Sequence, residues 1–404
     1  QLPMVEFVRS ASQHWWRTRV KLPVAPAQAD GRRCVIGLFE TGTRRVLPLE
    51  GCKAQHAAVD AGLQVLQEAL EDVGIEPYTH DADGVDVLGA LRHVQLTVER
   101  STGLIQLVLI WNAGQWADVR GLHALVEKLW PSHCSGTRSW HSIWAHLRGF
   151  GPASHGAGGI FAPGSGADRW QLLRGPPDIV ERIDGLPFRF GPAVFRQPNL
   201  QIFEHIVRDM KKAVAEFRRP QQKLHLLELC GGVGVLGLSL AASARCNVTL
   251  LSTDVNAFCA EAFAANARAI LAPAADSDSS GCSAIFRTAE AGEAAALAEG
   301  MRAEVVVADP PRKGLGEKTV ARLAASPSVR TVLHLACGLR GFCSDAEVLM
   351  ASGFQLNQLR CYDSFPATGH AEILGIFRRA TAVGHWHRRS ASGSCRPTNL
   401  KRSQ

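Results

Sequence analysis

The eleven cysteines of this 404-residue chain include no Cys-x-x-Cys pair and no zinc-ligand spacing. Their odd number and scattered positions exclude a disulfide scaffold, and no metal site is expected. Such usage fits a reducing, intracellular location, with an organelle as one option. No run approaches the roughly 18 apolar residues of a membrane-spanning helix, so a soluble protein with no membrane partner is expected. Neither sign of charge dominates: 44 Lys and Arg against 37 Asp and Glu leave a net charge of +7. That suits a phosphate-rich partner but excludes little. Methionine is missing from position 1, where Gln1 stands, so a fragment or processed form is expected.

What is present is globular material, 46% hydrophobic and 20% charged, with room for two domains. The first 148 residues read as α+β. Strands are expected over 18–25, 34–39 and 45–49, then a helix over 55–73 with Ala58, Leu63, Val65, Leu66 and Leu70 as its apolar stripe. A hairpin turning at Ser101-Thr102-Gly103 and a helix over 119–129 complete this half. Residues 149–190 are expected to form a flexible insertion and connection, because 149–168 is rich in Gly, Ala, Ser and Pro. A second loop of this kind is expected over 272–283. From 191 to 379 short apolar runs alternate with helical stretches, the pattern of a parallel, doubly wound α/β sheet. Residues 380–404 carry Arg388, Arg389, Arg396, Lys401 and Arg402 without an acid and read as a disordered basic tail.

Strand 224–229 runs into Cys230-Gly231-Gly232-Val233-Gly234-Val235-Leu236-Gly237, in which Gly232, Gly234 and Gly237 satisfy G-x-G-x-x-G. Asp254 ends the next strand, where a carboxylate can accept both hydroxyls of a ribose. NAD and S-adenosylmethionine both present a ribose there. Glu228 favours the second, because a carboxylate ahead of the turn repels a pyrophosphate and attracts a cationic sulfonium. Asp309-Pro310-Pro311-Arg312 follows the strand over 303–308, where methyltransferases keep a substrate-side motif.

These residues resemble the RNA uracil-5-methyltransferases, which make 5-methyluridine in tRNA and ribosomal RNA. The resemblance runs from about Trp15 to Arg378. It is carried by Trp16-Arg17-Thr18-Arg19, Leu91-Arg92-His93-Val94-Gln95, Phe195-Arg196-Gln197-Pro198-Asn199 and Asp309-Pro310-Pro311-Arg312-Lys313-Gly314-Leu315. Its most telling part is Leu335-Ala336-Cys337-Gly338 with Asp345, Tyr362-Asp363-Ser364-Phe365-Pro366 and His370-Ala371-Glu372. The resemblance implies a Rossmann-like S-adenosylmethionine methyltransferase domain preceded by an α+β RNA-binding domain, acting as a monomer on tRNA or rRNA. It assigns Cys337 as nucleophile and Glu372 as base, and it places Gln197, Cys230, Gly232, Gly234, Asp254 and Asp309 around the cofactor. Many bacterial members surround the nucleophile with Ser-Cys-Asn-Pro; Ala336-Cys337-Gly338-Leu339 is closer to plant and algal members. Some bacterial relatives hold an iron–sulfur cluster on four cysteines. Cys52 matches the last of these, so no cluster is expected on this sequence.

Carbon 5 of uracil is a poor nucleophile. A thiolate adding to carbon 6 creates an enolate whose carbon 5 can take a methyl group. A base then removes the proton from carbon 5, and the cysteine is eliminated. A free thiol with a pKa near 8.5 is largely protonated at neutral pH, so the site is expected to help ionise it. The target base must leave its stack, and Phe365 with Pro366 either stacks on it or packs a turn. The alternatives are a catalytically inactive RNA-binding or chaperone homologue and, further off, a NAD-dependent oxidoreductase.

Overall fold

The computed structural model describes residues 2–27, 33–80, 86–130, 139–148, 167–217, 222–244, 247–272 and 281–380. The Gly-rich stretch over 149–166, most of the loop expected over 272–283 and the tail beyond 380 lie outside the described residues.

Strand β1 (Val5–Val8) opens the chain. The elements β2 (Arg19–Pro26), β3 (Cys34–Phe39), β4 (Val46–Pro48), α1 (Ala57–Val73), β5 (Thr79–His80), β6 (Asp86–Leu88), β7 (Leu91–Val98), β8 (Ile105–Trp111), α2 (Leu122–Leu129), β9 (Trp140–Leu147) and β10 (Trp170–Arg174) follow. A seven-stranded sheet runs in the order β10-β9-β8-β7-β2-β3-β4. Its apolar face, with Val94, Leu96, Leu107, Leu109, Ile143 and Ala145, packs under α1 and α2. Helix α1 buries Val59, Leu66 and Leu70 and stops at Gly74, whose φ of 72° is left-handed. Val65, expected in the apolar stripe, is exposed because it sits one step of the helix out of phase with Leu66.

Residues 167–190 are ordered, contrary to the flexible connection expected there. β10 joins the seven-stranded sheet beside β9. β11 (Ile179–Ile183) and β12 (Leu186–Phe190) pair as a hairpin. The cause is Asp184-Gly185, whose φ angles of 48° and 83° supply the two left-handed residues that a tight hairpin turn requires.

The second half comprises α3 (Leu200–Phe217), β13 (Leu224–Leu229), α4 (Val235–Ser243), β14 (Val248–Asp254), α5 (Cys259–Leu271), β15 (Ser283–Thr288), α6 (Ala291–Ala295), α7 (Leu297–Gly300), β16 (Val305–Ala308), α8 (Glu317–Ala325), β17 (Thr331–Ala336), α9 (Leu339–Ala351), β18 (Phe354–Tyr362) and β19 (Glu372–Arg379). They build an eight-stranded sheet ordered β1-β18-β19-β17-β16-β13-β14-β15. From β15 to β17 neighbouring strands are parallel, as expected. β19 runs antiparallel to both its neighbours, because residues 363–371 are too short to carry a crossover and can only reverse the chain. β1 pairs parallel to β18, so residues 5–8 belong to the eight-stranded sheet and not to the first 148-residue unit. Apolar cores cover both faces of this sheet, one under α3, α4 and α5 and the other under α6 to α9. Burial on both faces explains the continuous apolar run of β16 and the largely apolar β13 and β17.

Candidate active site

The strand order reverses between β13 and β16, and the carboxyl ends of strands at such a point form a crevice. Leu229 of β13 pairs with Ala308 of β16 and Thr253 of β14, so Cys230, Asp254 and Asp309 emerge together. On the far side of β16, Ala336 of β17 pairs with Ile373 of β19. One antiparallel step further sets Cys337 opposite Glu372. The sequence-predicted nucleophile and base thus meet across one pair of strands, at the edge that carries Asp309.

The glycine turn is held from below and open above. Gly231 N–H donates to Thr253 O at 2.9 Å, and Gly232 N–H donates to Asp254 Oδ2 at the same distance. Asp254 Oδ1 accepts Asn256 N–H at 2.9 Å. A Cβ on Gly232 (φ +55°) would meet nothing within 4 Å, whereas one on Gly234 would press on Phe263 at 2.5 Å. The turn therefore faces open space at Gly232 and packs inward at Gly234. Cys230 holds a left-handed φ of 56° beside it, and burial pushes its thiol up to about 12. That keeps it a neutral lining group.

Glu228 does not face this crevice, and its expected contact with a sulfonium is corrected. It is 1% exposed, and its oxygens accept Gly237 N–H at 2.7 Å and the Ser252 hydroxyl at 2.6 Å. Buried within the fold, it ties the start of α4 to β14. Burial pushes its carboxyl up to about 7.

Gln197 reaches the crevice from residues 192–199, which are wedged between the two halves. The buried Arg196 guanidinium donates to Val98 O, Thr18 O, Thr18 Oγ1 and Glu181 Oε1, the last at 2.6 Å. Asn199 starts α3, accepting Ile202 N–H at 3.4 Å, and its amide donates to Ser364 O. Between these anchors Gln197 Nε2 donates to Asp309 Oδ2 at 3.2 Å. Burial pushes Asp309 up to about 7, with the Gln197 hydrogen bond opposing the rise and the Asp254 charge adding to it.

Glu372 is 2% exposed, and its Oε2 has no hydrogen-bond partner. Burial, reinforced by Asp309, pushes it up to about 8, and Arg312 acts against this. Cys337 is half-buried; burial raises its thiol, the Glu372 and Asp309 charges raise it further, and Arg312 lowers it. The site taken together therefore opposes ionisation of this thiol, against expectation, with Arg312 and a backbone hydrogen bond acting in its favour. Phe365 packs edge-on against Trp16 with ring centroids 6.0 Å apart, and Pro366 is buried, so the pair closes a turn between the two halves. Among the described residues no group of His, Cys, Asp and Glu could hold a metal ion, and no helix is long and apolar enough to cross a membrane.

No family model matches the chain. An RNA methyltransferase of Protochlamydia amoebophila is 31% identical over 366 residues, which cover 90% of this chain and 86% of that protein. The 23S rRNA (uracil(747)-C(5))-methyltransferase of Halothiobacillus neapolitanus is 24% identical over 392 residues, 94% of this chain and 88% of that one. The chain belongs to the RNA methyltransferase family of the Protochlamydia protein. Its fold is shared with the Pyrococcus abyssi tRNA (uracil-54, C5)-methyltransferase, solved with S-adenosyl-L-homocysteine. That match has a TM-score of 0.65 and 20% identity, over 92% of this chain and 78% of that one.

One arrangement in this RNA methyltransferase had only a spacing signal in sequence. Asp345, eight residues after Cys337, is wholly buried on α9 and accepts Leu315 N–H at 2.7 Å and Gly316 N–H at 3.0 Å. His334 Nε2 lies 2.8 Å from its Oδ2. The contact between the Arg312 loop and the start of α9 left no signal beyond its glycines. A Cβ on Gly338 would strike Arg312 O, and one on Gly341 would lie 2.6 Å from Gly314 N.

Proposed function

We propose that this RNA methyltransferase uses S-adenosylmethionine to methylate carbon 5 of a uridine in tRNA or ribosomal RNA, with Cys337 as nucleophile and Glu372 as base. The observation that carries the proposal is the β17–β19 register, which sets the thiol opposite the carboxylate at the edge holding Asp309.

The cradle fits the cofactor: Gly232 opens onto free space, and Asp254 and Asp309 offer carboxylates at the switch point. Bound there, S-adenosylmethionine supplies an electrophilic methyl group on a sulfonium. Gln197, Gly232, Gly234, Asp254 and Asp309 are the residues that would hold it, with Cys230 lining the turn. Cys337 forms the sulfur–carbon bond to C6 of the uracil, and the electron pair of the C5–C6 double bond moves toward the carbonyl at C4. Once C5 has taken the methyl group, Glu372 removes the proton that C5 still carries, and the sulfur leaves with its electron pair as the double bond reforms. With Oε2 unpartnered and the Arg312 charge favouring its ionised form, the Glu372 carboxylate is suited to take one proton from carbon and release it later.

RNA is expected across the row where β7, β8, β9 and β10 align. Leu91, Trp111 and Leu147 are register partners, and His146 pairs with Trp170. Arg92, Arg148 and Arg169 therefore gather at one end of the sheet. Arg92 is buried over the Tyr78 ring at 4.1 Å, with Nε and Nη1 unpartnered. Arg148 is held below its ordinary value by burial and by the Arg92 and Arg169 charges. Trp170, stacked on His146 at 4.2 Å, meets Phe258 of the catalytic half edge-on at 6.1 Å. Clustered guanidinium groups beside aromatic rings suit phosphates and bases.

The test is RNA carrying 5-fluorouridine, whose fluorine cannot leave as a proton. The wild-type protein with S-adenosylmethionine should give an adduct that survives denaturation, and Cys337→Ala should give none. Absence of the adduct under conditions of proven RNA binding would overturn the reading.

A further inference from the structure

We propose that Asp345 is a positioning residue for the reaction: from α9 it clamps the loop over 310–316, so that Arg312 stays beside Cys337 and Glu372. The inference rests on the reading of Cys337 as nucleophile.

Asp345 gathers three pieces of chain that are distant in sequence. Its Oδ2 accepts Leu315 N–H and its Oδ1 accepts Gly316 N–H, which fixes the end of the Asp-Pro-Pro-Arg loop. His334, three residues before Cys337 on β17, lies 2.8 Å from Oδ2. The carboxylate is fully buried and all its described partners belong to this arrangement. A buried carboxylate is costly to desolvate, and hydrophobic packing would hold a helix on a strand without that penalty.

What the clamp secures is a backbone contact. Gly338 and Gly341 at the start of α9 lie so close to Arg312, Lys313 and Gly314 that a Cβ on either would collide with their backbone. Gly314, at φ +82°, approaches Asp345 itself: a Cβ there would lie 2.6 Å from Oδ2. Cys337 immediately precedes Gly338, so the height of the loop over α9 sets the distance of the Arg312 charge from the thiol. Burial, Glu372 and Asp309 all oppose ionisation of Cys337, and Arg312 is the cation that favours it. Arg312 likewise favours the charged form of Glu372. If the loop lifts, both groups lose that help.

The experiment follows alkylation of Cys337 by iodoacetamide against pH, read by mass spectrometry on the Cys337 peptide, and needs no RNA. In Asp345→Asn the side-chain NH2 faces a backbone N–H in place of an acceptor, so the loop is released. The midpoint should move up by at least about half a unit, which slows alkylation below the midpoint about threefold. Arg312→Gln should give the same shift, and the double variant no further one, because both act through one charge. S-adenosylhomocysteine should bind each variant as it binds wild type, since a merely structural defect would weaken it. Gly314→Ala, which pushes the carboxylate off the loop without removing it, gives a second route should Asp345→Asn fail to fold. A folded Asp345→Asn or Gly314→Ala protein on the wild-type pH curve overturns the inference, as does an Arg312→Gln protein on that curve. Failure of the 5-fluorouridine adduct in wild type would instead overturn the chemistry assigned to Cys337 and leave the thiol titration readable.

Discussion

The backbone N–H of Gly237 donates to Glu228 Oε1 at 2.7 Å, and a Cβ on Gly237 would stand 2.5 Å from Glu228 Oε2. The last glycine of the fingerprint is therefore dictated by a buried carboxylate under the turn. A Cβ on Gly231 would likewise lie 2.6 Å from the Glu228 carboxyl carbon. Gly237→Ala should destabilise the protein by about 1–3 kcal/mol through overpacking. It should also weaken S-adenosylhomocysteine binding about tenfold as the turn is pushed upward. Chemical denaturation and calorimetric titration measure the two effects, and wild-type values in both would show that the carboxylate can give way.

Elimination of the enzyme sulfur requires a proton to leave C5, which Gln cannot accept. Glu372→Gln should therefore form the bond to C6 and methylate C5 but stall there. Incubated with ordinary uridine-containing RNA and S-adenosylmethionine, it should accumulate a denaturation-stable covalent complex, with turnover down at least about 100-fold. Turnover at the wild-type rate would remove Glu372 from the role of base.

Glu372 also predicts a dependence of stability on pH. In the folded chain it keeps its proton up to about pH 8, whereas in the unfolded chain it releases it near the usual carboxylate range. Between those limits the folded state binds more protons, so stability falls as pH rises through that window. Asp309, pushed up to about 7, adds to the same slope. Glu372→Gln should be more stable than wild type by roughly 4 kcal/mol at pH 8 and about equal to it at pH 4. Urea titrations at both values decide the matter; parallel curves for the two proteins would show that the carboxyl is not held neutral.

Arg148→Gln should weaken RNA binding several-fold at physiological salt and flatten the dependence of log affinity on log salt by about one unit, as expected for one lost phosphate contact. S-adenosylhomocysteine affinity should not change, because the row of arginines lies on the first domain's sheet. Fluorescence anisotropy across a salt series gives the slope, and an unchanged slope would place the RNA elsewhere.

The parts of the fold that were legible are those where burial writes directly into sequence. β16 is covered on both faces and appears as an unbroken apolar run, β13 is apolar but for His225 and Glu228, and β3 was read to the residue. β18 escaped because Gln355, Asn357, Gln358 and Arg360 leave it largely polar, as suits a strand only partly covered. The hairpin over 179–190 escaped because Asp184-Gly185 was overshadowed by the glycine-rich stretch before it. Cys337 and Glu372 were singled out through their motifs, but their meeting depends on an antiparallel register that residue types do not encode. Glu228 was misjudged because sequence supplies a charge without its direction. Strand pleating and Ser252 turn it into the protein.

The pairing of Val5–Val8 with Leu359–Tyr362 has a practical consequence. A protein cut between its two apparent halves would leave the strand that ends at Tyr362 with a bare hydrogen-bonding edge. The second half made alone should clump, and adding residues 2–14 back through a short linker should restore solubility. The unit built on the eight-stranded sheet is discontinuous along the chain, with the domain of the seven-stranded sheet inserted after its first strand.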